Sequence, residues 1–128
     1  MTLLDTDIFV DILRDYGPAV AWLELLHEEE ILIPGFAVME LIQGCRDKAS
    51  QKRVESILSR FEVAWPSEES CQSALKLFAD VHLSVGIGIL DVLIGQMAVD
   101  LRVVLATFNQ KHYSQVPGLL TIQPYDKN

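Results

Sequence analysis

Short, mostly apolar segments that alternate with longer helical segments are the feature that most limits the fold of this chain. Segments of this kind predict strands at residues 2–4, 31–33, 61–65, 103–106 and 119–122. Between them, start and stop residues together with apolar residues predict helices at residues 8–13, 18–29, 35–44, 67–81 and 87–101, and a polar helix is predicted at 47–60. Strands that lack a polar face must be covered on both sides, which is typical of a parallel sheet between helices. The pattern therefore predicts an α/β fold with a central parallel sheet of about five strands.

The length and composition of the chain are those of one globular domain. It has 128 residues, of which 50% are apolar and 22% are charged, and neither a repeat nor a linker interrupts residues 1–128. Ten basic and eighteen acidic residues give a net charge of −8. Because phosphate neutralisation supplies most of the affinity of proteins for nucleic acids, this charge argues against a broad basic binding surface.

The sequence carries no signal for secretion or for a membrane. No basic and apolar leader opens it. The longest apolar run, residues 85–99, is interrupted by Asp91 and is too short to cross a bilayer. Cys45 and Cys71 lack the spacing of a metal cluster or of a disulfide framework, and we expect them to be buried thiols on helices. We therefore expect a cytoplasmic protein that does not interact with membranes.

Three carboxylates interrupt apolar segments in which a charge is costly. They are Asp5, Glu40 and Asp91, and no basic residue lies in any of the three segments. Asp5 follows the first strand, and the other two lie in the first turns of helices that we expect to begin at the same sheet edge. Hard oxygen ligands in one place predict a Mg²⁺ or Mn²⁺ site. Three separate, half-exposed helix acids, or acids that interact with helix dipoles, are the alternatives.

Other polar residues near this edge are candidates for weak ligands or for contacts that orient the ligands. They are Thr6, Asp7, Thr107 and Asn109. Either Thr6 or Asp7 is expected to cap the first helix, and Asp7 is equally compatible with a place beside the metal. Thr107 and Asn109 follow the fourth strand, where they offer neutral oxygens or else form a turn and a helix cap. Asp11 is expected at the solvated surface.

Basic residues are concentrated in one short part of the chain. Four of the ten fall within eight positions, at Arg46, Lys48, Lys52 and Arg53. This group follows the helix that carries Glu40, so it is a candidate for holding phosphates at the border of the site. The alternative is a solvated helix face balanced by neighbouring acids. Lys111, after the fourth strand, is a further candidate for contact with RNA.

At these residues the chain resembles the PIN-domain family, and more narrowly its VapC-like toxin ribonucleases. The segment LLDTDIFVD at residues 3–11 is similar to the first motif of the family. MELIQG at residues 39–44 resembles its glutamate motif, and DVLIGQMA at residues 91–98 resembles its third motif. LATFNQKHY at residues 105–113 resembles its closing motif. Each motif is weakly specific, but the four occur in order over nearly the whole chain.

The resemblance implies a three-layer α/β/α fold and a Mg²⁺- or Mn²⁺-dependent ribonuclease that acts as the toxin of a type II toxin–antitoxin pair. It implies that Asp5, Glu40 and Asp91 are the catalytic carboxylates that hold the metal and that activate water for phosphodiester hydrolysis. It also implies three partners, which are an RNA substrate, an antitoxin protein and a second copy of the chain in a homodimer.

Two features leave other functions open. Asn109 stands where many relatives place an acid, and a neutral amide would weaken a second metal site; Asp100 is expected to point away and not to replace it. A degenerate domain that only binds a partner protein is therefore the main alternative. The pair Asp5 and Asp7 also resembles the acidic motif of haloacid-dehalogenase-type phosphatases, but Phe9 stands where that motif requires Thr or Val.

Overall fold

The computed structural model describes residues 1–127, apart from the side chain of Glu29, so the last residue of the predicted domain lies outside the described part. Within that range a parallel sheet has five strands in the order β3-β2-β1-β4-β5. The strands are β1 Thr2–Leu4, β2 Ile31–Pro34, β3 Glu62–Ala64, β4 Val104–Ala106 and β5 Thr121–Ile122. The predicted parallel sheet is confirmed.

Helices precede or follow each strand along the described chain. They are α1 Thr6–Leu13, α2 Gly17–Glu24, α3 Gly35–Gln43, α4 Lys48–Leu58, α5 Glu68–Val81, α6 Ile89–Leu101 and α7 Gln110–Tyr113. The second helix is shorter than predicted, because the chain leaves it at Glu24 and forms a separate 3-10 turn at Glu28–Glu30. The predicted helix at 87–101 begins two residues later, at Ile89.

The core consists of two apolar clusters, one on each face of the sheet. Leu3 and Leu4 show the arrangement, since successive strand residues point to opposite faces. Leu4 belongs to the cluster formed with α1, α2, α3 and α4, whereas Leu3 belongs to the cluster beneath α5 and α6. The result is the three-layer α/β/α architecture.

Polar side chains set where several helices begin. Asp5, and neither Thr6 nor Asp7, is the N-cap of α1, and its carboxylate accepts a hydrogen bond from the Thr6 N–H. The predicted cap was therefore wrong by one or two residues. Asp47 begins α4 through a reciprocal capping box with Ser50.

The cysteines differ from their predicted environments. Cys45 lies in the connection after α3 and not in a helix, while Cys71 lies in α5. Both thiols are only partly buried. The prediction of two buried helix thiols was wrong, since α3 ends at Gln43 and the face of α5 that carries Cys71 is not fully covered.

The C-terminal tail covers Asp11, which was predicted to be solvated. The Tyr125 hydroxyl donates to Asp11 Oδ2 at 2.6 Å, and Lys127 Nζ lies 2.8 Å from the same oxygen. The Lys127 ammonium also lies 4.4 Å from the centre of the Phe108 ring, and the Tyr125 ring meets that ring edge to face. Burial disfavours the charged form of Asp11, but the hydrogen bonds from Lys127 and Tyr125 outweigh it and hold its pKa below the usual range.

Removal of the Tyr125 hydroxyl tests whether this tail contact stabilises the fold. Tyr125→Phe should lower the free energy of unfolding by about 1–2 kcal/mol, because the partly buried Asp11 carboxylate loses a donor. The measurement is urea unfolding at neutral pH. Tyr16→Phe is the matched control, since it removes a hydroxyl from a ring that packs on Tyr125 without removing the donor to Asp11. Equal stability of the two variants would show that the contact contributes nothing.

Candidate active site

The carboxyl ends of β1 and β4 bring Asp5 and Thr107 together. Leu4 pairs with Ala106 in the parallel register, so the next residue of each strand lies at the same place on the sheet edge. The Thr107 hydroxyl donates to Asp5 Oδ2 at 2.8 Å, and the Thr6 N–H donates to Asp5 Oδ1 at 2.9 Å. Asp5 and Thr107 are both buried. The Asp5 carboxylate is therefore fixed at both oxygens.

Glu40 reaches this place through Thr6. The Thr6 hydroxyl donates to Glu40 Oε1 at 3.0 Å, so a single residue contacts both carboxylates. Glu40 lies in the second turn of α3 and is exposed, although its apolar neighbours predicted burial. The reason is the helical period, which turns Leu41 into the core and leaves the Glu40 side chain outside.

Asp91 lies in the first turn of α6 and is partly buried. Its Oδ1 accepts a hydrogen bond from the Tyr113 hydroxyl at 3.3 Å. Tyr113 is fully buried, and burial together with the nearby charges of Asp5 and Asp91 raises its pKa well above the ordinary value. The phenol therefore stays protonated and acts as a hydrogen-bond donor to the acidic group.

Sequence reasoning missed Tyr113 as a residue of the site. It lies at the end of the closing motif, which was the available signal, but nothing in its position predicted that α7 would turn its hydroxyl toward α6. Gly95 allows the approach, since a Cβ there would lie 3.3 Å from the Tyr113 ring and 3.0 Å from Val116. A side chain at position 95 would thus displace the tyrosine or its neighbour.

The site is strongly acidic, and this disfavours the charged form of its central residue. Burial, followed by the charge of Asp7 and more weakly that of Asp91, raises the pKa of Asp5 to about 6. Burial also raises the pKa of Asp7. An acidic group of this kind gains from a cation that neutralises it.

Asp7 fixes the loop after β4. Its Oδ2 accepts a hydrogen bond from the Phe108 N–H at 3.0 Å, which joins α1 to the connection between β4 and α7. Its Oδ1 is buried and has no hydrogen-bond partner among the described residues. Asp7 is therefore not a helix cap, and it contributes a carboxylate oxygen without a partner beside the site.

The remaining predicted polar residues lie on either side of this arrangement. The Asn109 N–H donates to Thr107 Oγ1 at 2.9 Å, while the Asn109 side chain is exposed and does not cap α7.

Asp100 accepts hydrogen bonds from Ser70 and Gln96, at the opposite end of α6 from Asp91. The expectation that Asp100 points away from the site is confirmed.

The donor set suits a hard divalent cation, since it consists of carboxylate and hydroxyl oxygens. The buried Asp7 Oδ1, which accepts no hydrogen bond from the described residues, is consistent with a nearby cation site. Within residues 1–127, however, no three acidic, His or Cys side chains converge as a direct ion-binding group. Instead, Thr6 bonds Asp5 through its N–H and Glu40 through its hydroxyl, and Asp91 accepts from the Tyr113 hydroxyl. Asp5 and Asp91, whose charges act on each other, could hold a metal.

The predicted basic residues do not form one surface. Arg46 lines a groove of about 580 Å³ together with Arg14, Thr6 and Glu40, so it borders the acidic site. Arg53 instead donates to the Leu13 carbonyl at 2.7 Å and faces Asp15, which links α4 to α1.

The lysines lie elsewhere. Lys48 and Lys52 are exposed on α4, and Lys111 lines a separate groove beside Ile87 and Gln115. Arg46 is therefore the predicted RNA contact that shares a groove with Glu40.

A family model described as the PIN domain matches residues 2–119. The chain therefore belongs to the PIN-domain family. Comparison with curated protein sequences gave no match. None of the helices in residues 1–127 combines the length and the apolarity that a membrane crossing requires.

Solved structures with the same fold include protein chains from bacterial complexes. A chain from a toxin–antitoxin complex of Klebsiella pneumoniae is 24% identical with a TM-score of 0.80, over 99% of this chain and 100% of that one. A chain of VapBC2 from Rickettsia felis, bound to a promoter DNA fragment, is 25% identical with a TM-score of 0.79, over 94% and 96%. A chain of VapBC-1 from nontypeable Haemophilus influenzae is 25% identical with a TM-score of 0.77, over 96% and 97%.

The raised pKa of Asp5 makes the stability of the metal-free protein depend on pH. Between about pH 4 and pH 6 the native Asp5 holds a proton that the unfolded chain has released, so its contribution to the free energy of unfolding falls as pH rises. Asp5→Asn removes this contribution and should be more stable than the wild type by roughly 1–3 kcal/mol at pH 7, with the difference vanishing near pH 4.

Urea unfolding in EDTA at intervals from pH 4 to pH 7 measures this difference. Asp80→Asn is the control, because Asp80 is exposed on α5 and should follow the wild type throughout. A difference between Asp5→Asn and the wild type that stays constant over this range, or has the opposite sign at pH 7, would contradict the expected burial of the charge.

Proposed function

We propose that this protein is a Mg²⁺- or Mn²⁺-dependent endoribonuclease and the toxin of a type II toxin–antitoxin pair. The observation that carries the proposal is the buried Asp5 carboxylate, held at both oxygens and placed beside Asp91 and Glu40 in a PIN domain. A buried carboxylate close to other acids, as Asp5 is, costs stability unless a cation or a proton neutralises it. Function explains why such a group is present.

The residues of the site have two roles: some are the proposed metal ligands, and others orient those ligands. Asp5 and Asp91 are the proposed metal ligands, and Glu40 contributes from the exposed side of the site. Thr107 and Thr6 fix the two oxygens of Asp5, so the carboxylate cannot rotate away. A bound divalent cation would polarise the phosphate and activate water for hydrolysis of the phosphodiester bond.

Tyr113 is a positioning residue in this mechanism. Its hydroxyl donates to Asp91 Oδ1 and so holds one of the two oxygens of that carboxylate. Because its raised pKa keeps it protonated, it cannot itself accept the proton of the attacking water. The exposed Glu40 carboxylate, whose Oε1 is already held by Thr6, is the better placed group to receive that proton or to orient the water.

The proposed protein partner is an antitoxin. The similar chains named above come from toxin–antitoxin complexes, which supports this partner by likeness alone. The groove that joins Thr6 and Glu40 to Arg46 combines an apolar floor at Val10 and Leu41 with an acidic end. Such a groove suits an amphipathic segment with a basic side chain that meets Glu40. A homodimer is proposed from the family resemblance alone.

A degenerate PIN domain that binds a protein partner is the second candidate. It is favoured by the neutral Asn109, by the exposed position of Glu40 and by the lack of a direct three-carboxylate group among residues 1–127. This candidate predicts no rise in melting temperature with Mg²⁺ or Mn²⁺, whereas a nuclease should be stabilised by them.

Cleavage of RNA tests the leading proposal. The wild type should cleave single-stranded RNA with Mg²⁺ or Mn²⁺, and EDTA should stop the cleavage. The cleavage rate of Asp5→Asn should be lower by about 100-fold or more, because the substitution removes the central carboxylate. Asp80→Asn makes the same charge change away from the site and should cleave normally. Activity that survives Asp5→Asn would identify a contaminating nuclease and remove the assignment.

Tyr113→Phe tests the positioning role. Loss of the hydroxyl should lower metal affinity or cleavage rate by roughly 10- to 100-fold, as is usual when a group that orients a ligand is removed. Calorimetric titration with Mn²⁺ and cleavage assays measure the two effects separately. Tyr16→Phe is the control, since it also removes a tyrosine hydroxyl but from a ring that packs on Tyr125. Unchanged metal affinity and rate in Tyr113→Phe would show that the hydroxyl only fills space.

A further inference from the structure

Trp65 presents a flat aromatic surface at the carboxyl edge of the sheet. Although it is a large aromatic residue, 56% of its surface is exposed. Its six-membered ring lies directly over Gly35, where a Cβ atom would come within 2.3 Å of the ring carbons. The Phe36 ring meets it edge to face, with ring centres 5.5 Å apart. Gly35 and Phe36 thus hold the indole in a defined orientation while much of it remains open.

The position of Trp65 relative to the carboxylates follows from the strand register. Leu3 pairs with Leu32 and Pro34 pairs with Ala64, so Asp5, Pro34 and Ala64 lie in one row across three neighbouring strands. Neighbouring strands lie about 4.8 Å apart, which places the backbone at Trp65 about 10 Å from that at Asp5. The indole lies over Gly35, and so on the side of β3 that faces the carboxylates.

Helix α3 connects this aromatic surface to the groove that contains Arg14 and Arg46. The helix begins at Gly35 beneath Trp65, carries Glu40 in its second turn, and ends beside the groove lined by Arg46 and Arg14. A helix of nine residues is about 13 Å long, so the three features lie within the span of a few nucleotides. The carboxylates therefore have a groove that contains two arginines on one side and an aromatic face on the other.

The charge of the protein explains why an aromatic face would be useful here. With a net charge of −8, the chain can gain little affinity for RNA from general phosphate neutralisation. Stacking of a base on an aromatic ring does not depend on the charge of the protein and tolerates any base. Single-stranded RNA is commonly held in this way, with unstacked bases on exposed aromatic side chains.

We propose that Trp65, seated on Gly35, is a stacking platform for a base of single-stranded RNA next to the phosphate that is cleaved. The proposal rests on the proposed ribonuclease function and adds a binding position that the carboxylates do not supply. A protein partner on the same face is the competing occupant. The location beside the carboxylates favours RNA, since a base stacked there belongs to the same strand that enters the site.

Intrinsic fluorescence reports on this residue directly. Trp22 and Trp65 are the two tryptophans of the sequence, so Trp22→Phe leaves Trp65 as the single emitter. The Trp22→Phe variant is titrated with an unstructured eight-nucleotide RNA in Ca²⁺, which takes oxygen ligands as Mg²⁺ does. Saturable quenching of Trp65 emission is expected, and cleavage of the same RNA is assayed separately in Mg²⁺.

Substitutions at Trp65 separate a flat ring from a merely apolar contact. Trp65→Leu should weaken RNA binding by roughly 5- to 100-fold without changing the slope of affinity against salt, because stacking releases no counterions. Trp65→Phe should retain most of the affinity. Arg46→Gln is the matched comparison and should reduce the salt slope. Gly35→Ala should weaken binding as Trp65→Leu does, since the added methyl group displaces the indole.

The outcomes distinguish failure of the platform from failure of the function. If Trp22→Phe cleaves RNA but its emission is unchanged at saturation, and Trp65→Leu binds normally, the platform is wrong and the ribonuclease remains. If the wild type neither binds nor cleaves RNA, both proposals are wrong. If sedimentation shows that Trp65→Leu dissociates a dimer while the RNA affinity per chain is unchanged, the surface belongs to a second copy of the chain and the platform is wrong.

Discussion

The hydrogen bond from Thr107 to Asp5 is the contact on which the arrangement of the site depends. It joins residues at the ends of β1 and β4, which are separated by 102 positions in the chain and are adjacent in the sheet. The same short segment of backbone holds Asp7, because the Phe108 N–H donates to it. Asp5 at the N-cap of α1 and Asp7 in its first turn are thereby fixed to one loop.

At this edge of the sheet, several acids lie close to one another although their charges repel. Burial of Asp5 close to other acids makes ionisation costly in the absence of a cation, as its raised pKa shows. Two apolar clusters, one on each face of the sheet, supply packing that offsets this cost. Tyr113 and Thr6 then donate hydrogen bonds to the acids, which reduces their repulsion without neutralising them.

Sequence reasoning predicted the strands well because their apolar runs have few alternatives. It was less accurate for Asp11, which was predicted to be exposed and is buried, and for Glu40, which was predicted to be buried and is exposed. Asp11 lies on a helix face that looked solvated until the C-terminal tail folded over it, a contact between residues 114 positions apart. Glu40 lies in an apolar segment, but helical geometry turns it outward. In both cases local composition was a poor guide to the neighbours of a side chain.

The sequence by itself determined the class of fold and the identity of the acids, because both follow from local patterns of apolar and charged residues. Only the tertiary structure decided which groups meet. The strand order places Thr107 beside Asp5, the packing of α7 on Gly95 brings Tyr113 to Asp91, and the absence of a side chain at Gly35 lets Trp65 lie beside the site. These contacts depend on strand pairing and helix packing between distant segments, for which a single sequence carries no local signal.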